Sequence, residues 1–82
     1  MTLRVLLFGP LRDLAGWRER DFDPSPATLE VLKQAVAADD PALGEALAGP
    51  GVQVAVDKAV VRGDVALHPG AEVAFLPPMS GG

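Results

Sequence analysis

The N-terminal pattern of apolar and polar positions predicts two strands around one helical turn. Residues 2–8 form an apolar run that Gly9-Pro10 stops, and because both alternating faces are largely apolar we predict an interior strand. Residues 11–16 fit one helical turn that ends at a glycine. Residues 17–22 carry four charged side chains. Such charges discourage edge-to-edge association, so we predict an edge strand antiparallel to the first.

Two helices are predicted in the middle of the chain. Thr28 is a good N-cap for a helix over residues 29–38, whose apolar side chains share one stripe that can cover a sheet. The members of this stripe are Leu29, Leu32, Ala35 and Val36. Asp40 and Pro41 then fit the cap and first position of a shorter helix that runs to about Ala48.

The C-terminal third alternates in the manner of strands. Val52, Val54 and Val56 face one side of a strand, which is followed by a turn, a short strand at residues 60–61 and a last strand at residues 72–76. A right-handed crossover would pair the first and last strands in parallel at the sheet centre. The sequence therefore predicts one α+β domain over residues 1–82, of the β-grasp (ubiquitin-like) type, with about five strands and one main helix on one face.

The last strand runs into Pro77-Pro78, which cannot donate to a ladder and should release the chain from the sheet. We therefore predict a protruding tail over residues 76–82. The six residues from Pro77 onward could reach roughly 20 Å if extended. Gly81 and Gly82 have no Cβ, so they fit a narrow channel that brings the α-carboxylate to a buried centre. The alternative is a frayed terminus without function.

Composition excludes several classes of function. The chain has no cysteine, which excludes disulfides, thiolate nucleophiles and cysteine-based zinc sites. A net charge of −4 with seven basic residues argues against nucleic acid as a partner. Apolar runs are too short for a membrane span or a signal peptide, so we expect a cytoplasmic protein.

No catalytic or metal-binding cluster is indicated by the spacing of residues. His68 is the single histidine, and its Pro69-Gly70 neighbours suggest an ordinary surface turn. Scattered acidic residues match no metal-ligand spacing, and no phosphate-binding glycine loop is present, so we expect no bound metal or cofactor. The remaining candidate for chemistry is the α-carboxylate of Gly82.

The sheet face away from the helix is a candidate interaction surface. A single helix layer leaves that face uncovered, and an exposed apolar patch usually marks a partner site. Loops folding over the face are the alternative. The candidate residues are Leu6, Phe8, Ala74, Leu76, and Val60 or Val61.

Three segments together resemble the small, sulfur-carrying subunits of molybdopterin synthase, the MoaD family. The resemblance spans the chain and is most specific at the end. One departure is Asp57, where the family commonly has asparagine, and it puts the polar contact at that position in doubt. The segments are Val5 to Gly16, Ala55-Val56-Asp57, and His68 to Gly82.

The resemblance implies a non-catalytic sulfur donor. A separate E1-like, MoeB-like enzyme would use ATP to adenylate Gly82, and a sulfurtransferase would supply the sulfur of a C-terminal thiocarboxylate. The MoaE-like large subunit would receive the tail in a heterotetramer and catalyse transfer to form the molybdopterin dithiolene. By position, the tail residues are Pro77, Pro78, Met79, Ser80 and Gly81, and the partner interface consists of Phe8, Arg12, Val60 and Leu76.

Two other classes of function stay open. One is a ubiquitin-like modifier that joins Gly82 to target lysines, or a sulfur carrier for another pathway such as thiamine synthesis. The other is a plain interaction module in which Gly-Gly is incidental.

Overall fold

The computed structural model describes residues 2–23 and 26–78. All of the predicted strands and helices are present, with bounds that differ from the predictions by at most two residues. In chain order they are β1 (Leu3–Leu7), α1 (Pro10–Ala15), β2 (Glu19–Phe22), α2 (Leu29–Asp39), α3 (Pro41–Leu47), β3 (Gln53–Val56), β4 (Ala59–Val61) and β5 (Glu72–Leu76).

The strands form one mixed sheet in the order β2-β1-β5-β3-β4. β1 pairs in parallel with β5, and every other pairing is antiparallel. The predicted parallel pairing of the first and last strands is therefore confirmed, as is the position of β2 at an edge. Because β5 pairs with β1 on one side and β3 on the other, the tail leaves from the centre of the sheet.

The core lies between one face of this sheet and the helices. From β1 and β5, the side chains of Leu3, Val5, Leu7, Val73 and Phe75 are fully buried. Burial of each such side chain is worth about 1.5–3 kcal/mol, so this layer supplies much of the stability. The helices contribute Leu29, Leu32, Val36, Leu43 and Leu47 to the same cluster.

Both of the long helices begin where side chains cap them. The Val31 N–H donates to Thr28 Oγ1 over 3.2 Å at the start of α2. The Leu43 N–H donates to Asp40 Oδ1 over 3.1 Å at the start of α3, with Pro41 in its first turn. Each cap satisfies a backbone donor that the helix itself leaves free. The predicted starts of the two helices are confirmed.

α2 and α3 approach each other closely at one point. A Cβ added to Gly44 of α3 would lie 2.3 Å from the Cβ of Ala37 and 2.6 Å from its Cα. These distances are far below a van der Waals contact, so only glycine fits here without moving a helix. The predicted main helix therefore shares its layer with α3.

Candidate interaction surface and root of the tail

An apolar row crosses the sheet face that points away from the helices. Directly opposed Cα partners connect Leu6 to Ala74, Ala74 to Ala55, and Ala55 to Val60. Successive residues of a strand point to opposite faces, so Leu76 lies on the same side of β5 as Ala74. Phe8 directly follows β1, and the same alternation carried on by one residue places it on the side of Leu6. We call this surface the open-face patch. Its members are Leu6, Phe8, Ala55, Val60, Ala74 and Leu76.

The patch is accessible at two large side chains. Phe8 is 44% exposed and Val60 is 59% exposed, whereas Leu6 and Leu76 are half-buried. The register also separates the two valines of β4. Val61 opposes the buried Val54 and packs against the core, so Val60 is the valine that belongs to the patch.

Charged residues border the patch along one side. Two residues before Leu6 on β1, Arg4 is directly opposed by Asp21 of β2 on one side and by Glu72 of β5 on the other. The Arg4 Nε lies 3.6 Å from a Glu19 carboxylate oxygen and 3.8 Å from one of Asp21. An apolar centre with a charged border is the arrangement found in protein interfaces.

The root of the tail lies beside a groove of about 770 Å³. β5 ends at Leu76 as predicted, and Pro77 and Pro78 line the groove. Its other walls include Pro10 and Leu11 of α1 and Ala46 of α3. Four predicted tail residues lie outside the described residues, namely Met79, Ser80, Gly81 and Gly82.

Arg12, the predicted basic interface residue, lies on α1 soon after Phe8. Its Nε is 3.8 Å from Asp13 Oδ1, and both side chains are at least half exposed. An exposed ion pair of this kind is worth little and leaves the guanidinium available to a partner. The ion-pair partner of Arg12 is Asp13 of the same helix, and no hydrogen bond or ion pair described for Arg12 connects it to the open-face patch.

Asp57 and His68 form a polar pair that the sequence did not indicate. The Asp57 Oδ2 lies 2.6 Å from His68 Nε2, and Asp57 Oδ1 accepts the Glu72 N–H over 3.0 Å. Asp57 and Lys58 both have positive φ, as the turn of a two-residue type I′ hairpin requires. The aspartate thus links the β3–β4 turn to the start of β5. His68 is an exposed residue beside its turn, as predicted, and in addition pairs with Asp57.

This pair shifts the pKa of both groups. The Glu72 N–H, and then the hydrogen bond with His68, lower the pKa of Asp57. The hydrogen bond with Asp57, and then the Pro69 carbonyl, raise the pKa of His68 above its ordinary value of 6.5. Both shifts favour the charged forms, so the pair is an aspartate and an imidazolium at mildly acidic pH.

We expect the pair to stabilise the fold most between the ordinary pKa values of Asp57, 3.8, and His68, 6.5. The contribution of His68 is complete below 6.5 and is lost as pH rises through its raised folded pKa. That of Asp57 is lost as pH falls through its lowered pKa. An NMR titration of the single histidine should give a pKa above 6.5 that falls towards 6.5 in Asp57→Asn. An unchanged pKa in that variant would contradict the assignment.

Within residues 2–23 and 26–78, no three histidine or acidic side chains are grouped so that they could hold a metal ion. No helix in the same part of the chain combines the length and apolar character needed to cross a membrane.

Comparisons with known proteins cover nearly the whole chain. The ThiS family matches residues 5–82. The molybdopterin synthase sulfur carrier subunit of Escherichia coli (strain K12) is 35% identical over 80 residues, which cover 98% of this chain and 99% of that protein. The predicted resemblance to the small subunit of molybdopterin synthase is confirmed by this match.

Two solved structures share the fold. The small archaeal modifier protein 1 of Haloferax volcanii superimposes with a TM-score of 0.85 at 27% identity and covers 100% of both chains. Subunit 1 of a molybdopterin converting factor from Pyrococcus furiosus gives 0.80 at 27% identity, over 96% of this chain and 99% of that one. The predicted β-grasp fold is thus confirmed, and the chain belongs to the ThiS family.

Proposed function

We propose that this chain is the sulfur-carrier subunit of a molybdopterin synthase and that Gly82 carries the sulfur as a C-terminal thiocarboxylate. The observation that carries the proposal is the match to the Escherichia coli sulfur carrier subunit, which spans nearly all of both chains. The open-face patch and the release of the chain at Pro77 support it, because a sulfur carrier needs a surface that binds its partner enzymes and a free end that brings the sulfur to them.

The chemistry would take place on the end of the chain. A carboxylate is a poor electrophile, so an ATP-dependent, E1-like enzyme would first join Gly82 to AMP and release pyrophosphate. Sulfur supplied by a sulfurtransferase and reduced to the sulfide level by a cellular thiol would then attack the acyl carbon, so that AMP leaves and the thiocarboxylate remains. The MoaE-like large subunit would provide the catalytic residues that transfer this sulfur to the pterin precursor, so we expect no cofactor bound by this chain itself.

The folded body would provide the surface to which these enzymes bind. Phe8, Val60 and Leu76 would contact the large subunit through the open-face patch, and Arg12 would lie near the same interface. Two carriers and two large subunits would form the heterotetramer, and the use of ATP and reduced sulfur fits a cytoplasmic reaction.

A second candidate is a protein modifier in which Gly82 forms an isopeptide bond with lysines of other proteins. The observation in its favour is the similarity to small archaeal modifier protein 1, with a TM-score of 0.85 over both whole chains. The two candidates share activation by ATP and differ in what finally attacks Gly82.

The decisive experiment is the intact mass of tagged protein isolated from its host. Replacement of one carboxylate oxygen by sulfur adds about 16 Da to the C-terminal peptide, and oxidation of Met79 adds the same nominal mass, so iodoacetamide, which alkylates the thiocarboxylate, distinguishes the two. We expect the alkylated species in the wild-type chain. Deletion of Gly82 leaves a glycine carboxylate on Gly81 but shortens the reach by about 3.5 Å. We expect the deletion to abolish molybdoenzyme activity.

Three outcomes separate the hypotheses. Molybdoenzyme activity that survives deletion of Gly82 would rule out the carrier. Higher-mass conjugates on a blot against an N-terminal tag, lost with Gly82, would support the modifier. The Asp57→Asn variant serves as a control, since it alters the body far along β5 from the tail and should retain the added mass.

A further inference from the structure

Two glycine turns from distant parts of the chain meet the two prolines at the root of the tail. Gly9 lies between β1 and α1, and Gly51 lies between α3 and β3. A Cβ added to Gly9 would lie 3.2 Å from Pro77 Cγ, and one added to Gly51 would lie 3.0 Å from Pro78 Cβ. One glycine therefore lies against each proline.

Turn geometry alone does not explain these contacts. Both glycines have positive φ, but so do Gly16, Gly63 and Gly70, and at those three an added Cβ would meet nothing within 4 Å. All five turns favour glycine for their backbone conformation. Of these five, only Gly9 and Gly51 would also crowd a neighbour if they carried a Cβ, so that the neighbour would have to move by a few tenths of an ångström. In both cases that neighbour is a proline of the tail root.

We propose that Gly9 and Gly51 are positioning residues that fix the direction in which the chain continues past Pro78. Their bare backbones let the two rings pack closely, and each ring already fixes its own φ near −65°. With Leu76 held in β5 and both prolines in contact, few torsions stay free between the sheet and Pro78. The inference rests on the proposed function in that it concerns delivery of the Gly82 carboxylate.

The benefit of such positioning is a higher effective concentration at the partner's reaction centre. Four residues follow Pro78, and they span at most about 14 Å. A fixed starting direction confines the end of so short a segment to a small part of the space around the body. The effective concentration of the Gly82 carboxylate is highest when the length of the segment matches the distance from Pro78 to the partner's reaction centre. If the segment starts in a wrong direction, the carboxylate no longer reaches that centre.

A distance measurement tests the inference without any enzyme. The chain has no cysteine, so spin labels can be placed at Gln34→Cys, exposed on α2, and at Ser80→Cys, beyond the described residues. We expect Gly51→Ala to shift or broaden the distance distribution by electron paramagnetic resonance. Gly70→Ala is the matched control, since its φ of 84° nearly equals the 85° of Gly51 but its added Cβ has open space.

A second variant separates the contact from backbone strain. Pro78→Ala keeps Cβ but removes the ring Cγ, which lies 3.3 Å from the position of a Cβ on Gly51, and it frees φ of residue 78. The position is exposed, so the body should melt as the wild type does. We expect it to broaden the distribution as Gly51→Ala does. Distributions for Gly51→Ala and Pro78→Ala that match the Gly70→Ala control would overturn the proposal.

Kinetics with the ATP-dependent activating enzyme provide the functional test. In ATP–pyrophosphate exchange, we expect Gly51→Ala and Pro78→Ala to lower kcat by on the order of tenfold or more, since small misplacements of a reacting group are costly. KM should stay near the wild-type value because the open-face patch is unchanged. Gly70→Ala should alter neither constant.

The two proposals fail in different ways. If the wild-type chain supports no exchange while the spin-label distances still respond to Gly51→Ala, the proposed function is wrong and the positioning role stands. If the wild type, Gly51→Ala and Pro78→Ala are all activated with the same kcat, the positioning role is wrong, and the proposed activation of Gly82, on which the carrier function depends, stands.

Discussion

Gly44→Ala will destabilise the domain by about 2 kcal/mol or more, against the usual effect of this substitution in a helix. Alanine normally stabilises a helix interior relative to glycine by about 0.5–1 kcal/mol. Here the new Cβ would lie 2.3 Å from the Cβ of Ala37 and 2.6 Å from its Cα, so α2 and α3 must move apart. Thermal unfolding followed by circular dichroism should show a fall in Tm of roughly 10 °C or more.

A double-mutant cycle provides the control for this prediction. Ala37→Gly alone should cost about 1 kcal/mol through helix propensity. Combined with Gly44→Ala it removes the 2.3 Å approach to Cβ but leaves the 2.6 Å approach to Cα, so the double variant should lose less stability than the sum of the two single losses. A Tm for Gly44→Ala at or above that of the wild type would show that the helices are not in close contact.

Phe8→Asp will weaken binding to the large subunit that we propose as the partner by about 30-fold or more, the effect of losing an interface side chain worth roughly 2 kcal/mol. Phe8 is an exposed aromatic residue in the open-face patch, and a carboxylate there would be desolvated without a partner. Val60→Asp should also weaken this binding, since Val60 lies at the β4 end of the open-face patch. Calorimetric titration of each variant into the large subunit measures the effect.

Val31→Asp is the matched control for Phe8→Asp. Val31 is 45% exposed, close to the 44% of Phe8, but it lies on α2 on the opposite side of the sheet. An acidic residue in the first turn of a helix is also tolerated by the helix dipole. Equal losses of affinity for Val31→Asp and Phe8→Asp would mean that the open-face patch is not the interface. A loss of folding in Phe8→Asp, seen by circular dichroism, would assign Phe8 to the core.

The elements and their order could be predicted because local chemistry determines them. Thr28 and Asp40 are caps whose partners lie three residues away, and the Pro77-Pro78 pair stops β5 by its own covalent structure. The pairing of β1 with β5 followed from the crossover rule. These predictions needed no knowledge of contacts between distant parts of the chain.

The features that could not be predicted depend on which side chains meet when separate elements pack. Gly44 meets Ala37 across two helices, and Asp57 meets His68 across eleven residues. Val60 and Val61 were equivalent candidates until the register of β3 with β4 placed one on each face. For the site, the sequence indicated the patch and the tail, but the approach of Gly51 to Pro78 depends on how α3 and β3 pack.

The central position of β5 affects how the molecule responds to force on its end. β5 is paired on both sides up to its end, since Leu76 is opposed by Gln53 of β3 and Phe75 by Leu7 of β1. A pull along the tail therefore loads two ladders in shear, and their hydrogen bonds must break together rather than one after another. The body would therefore stay folded if, as proposed, a partner enzyme draws the end of the chain into a channel.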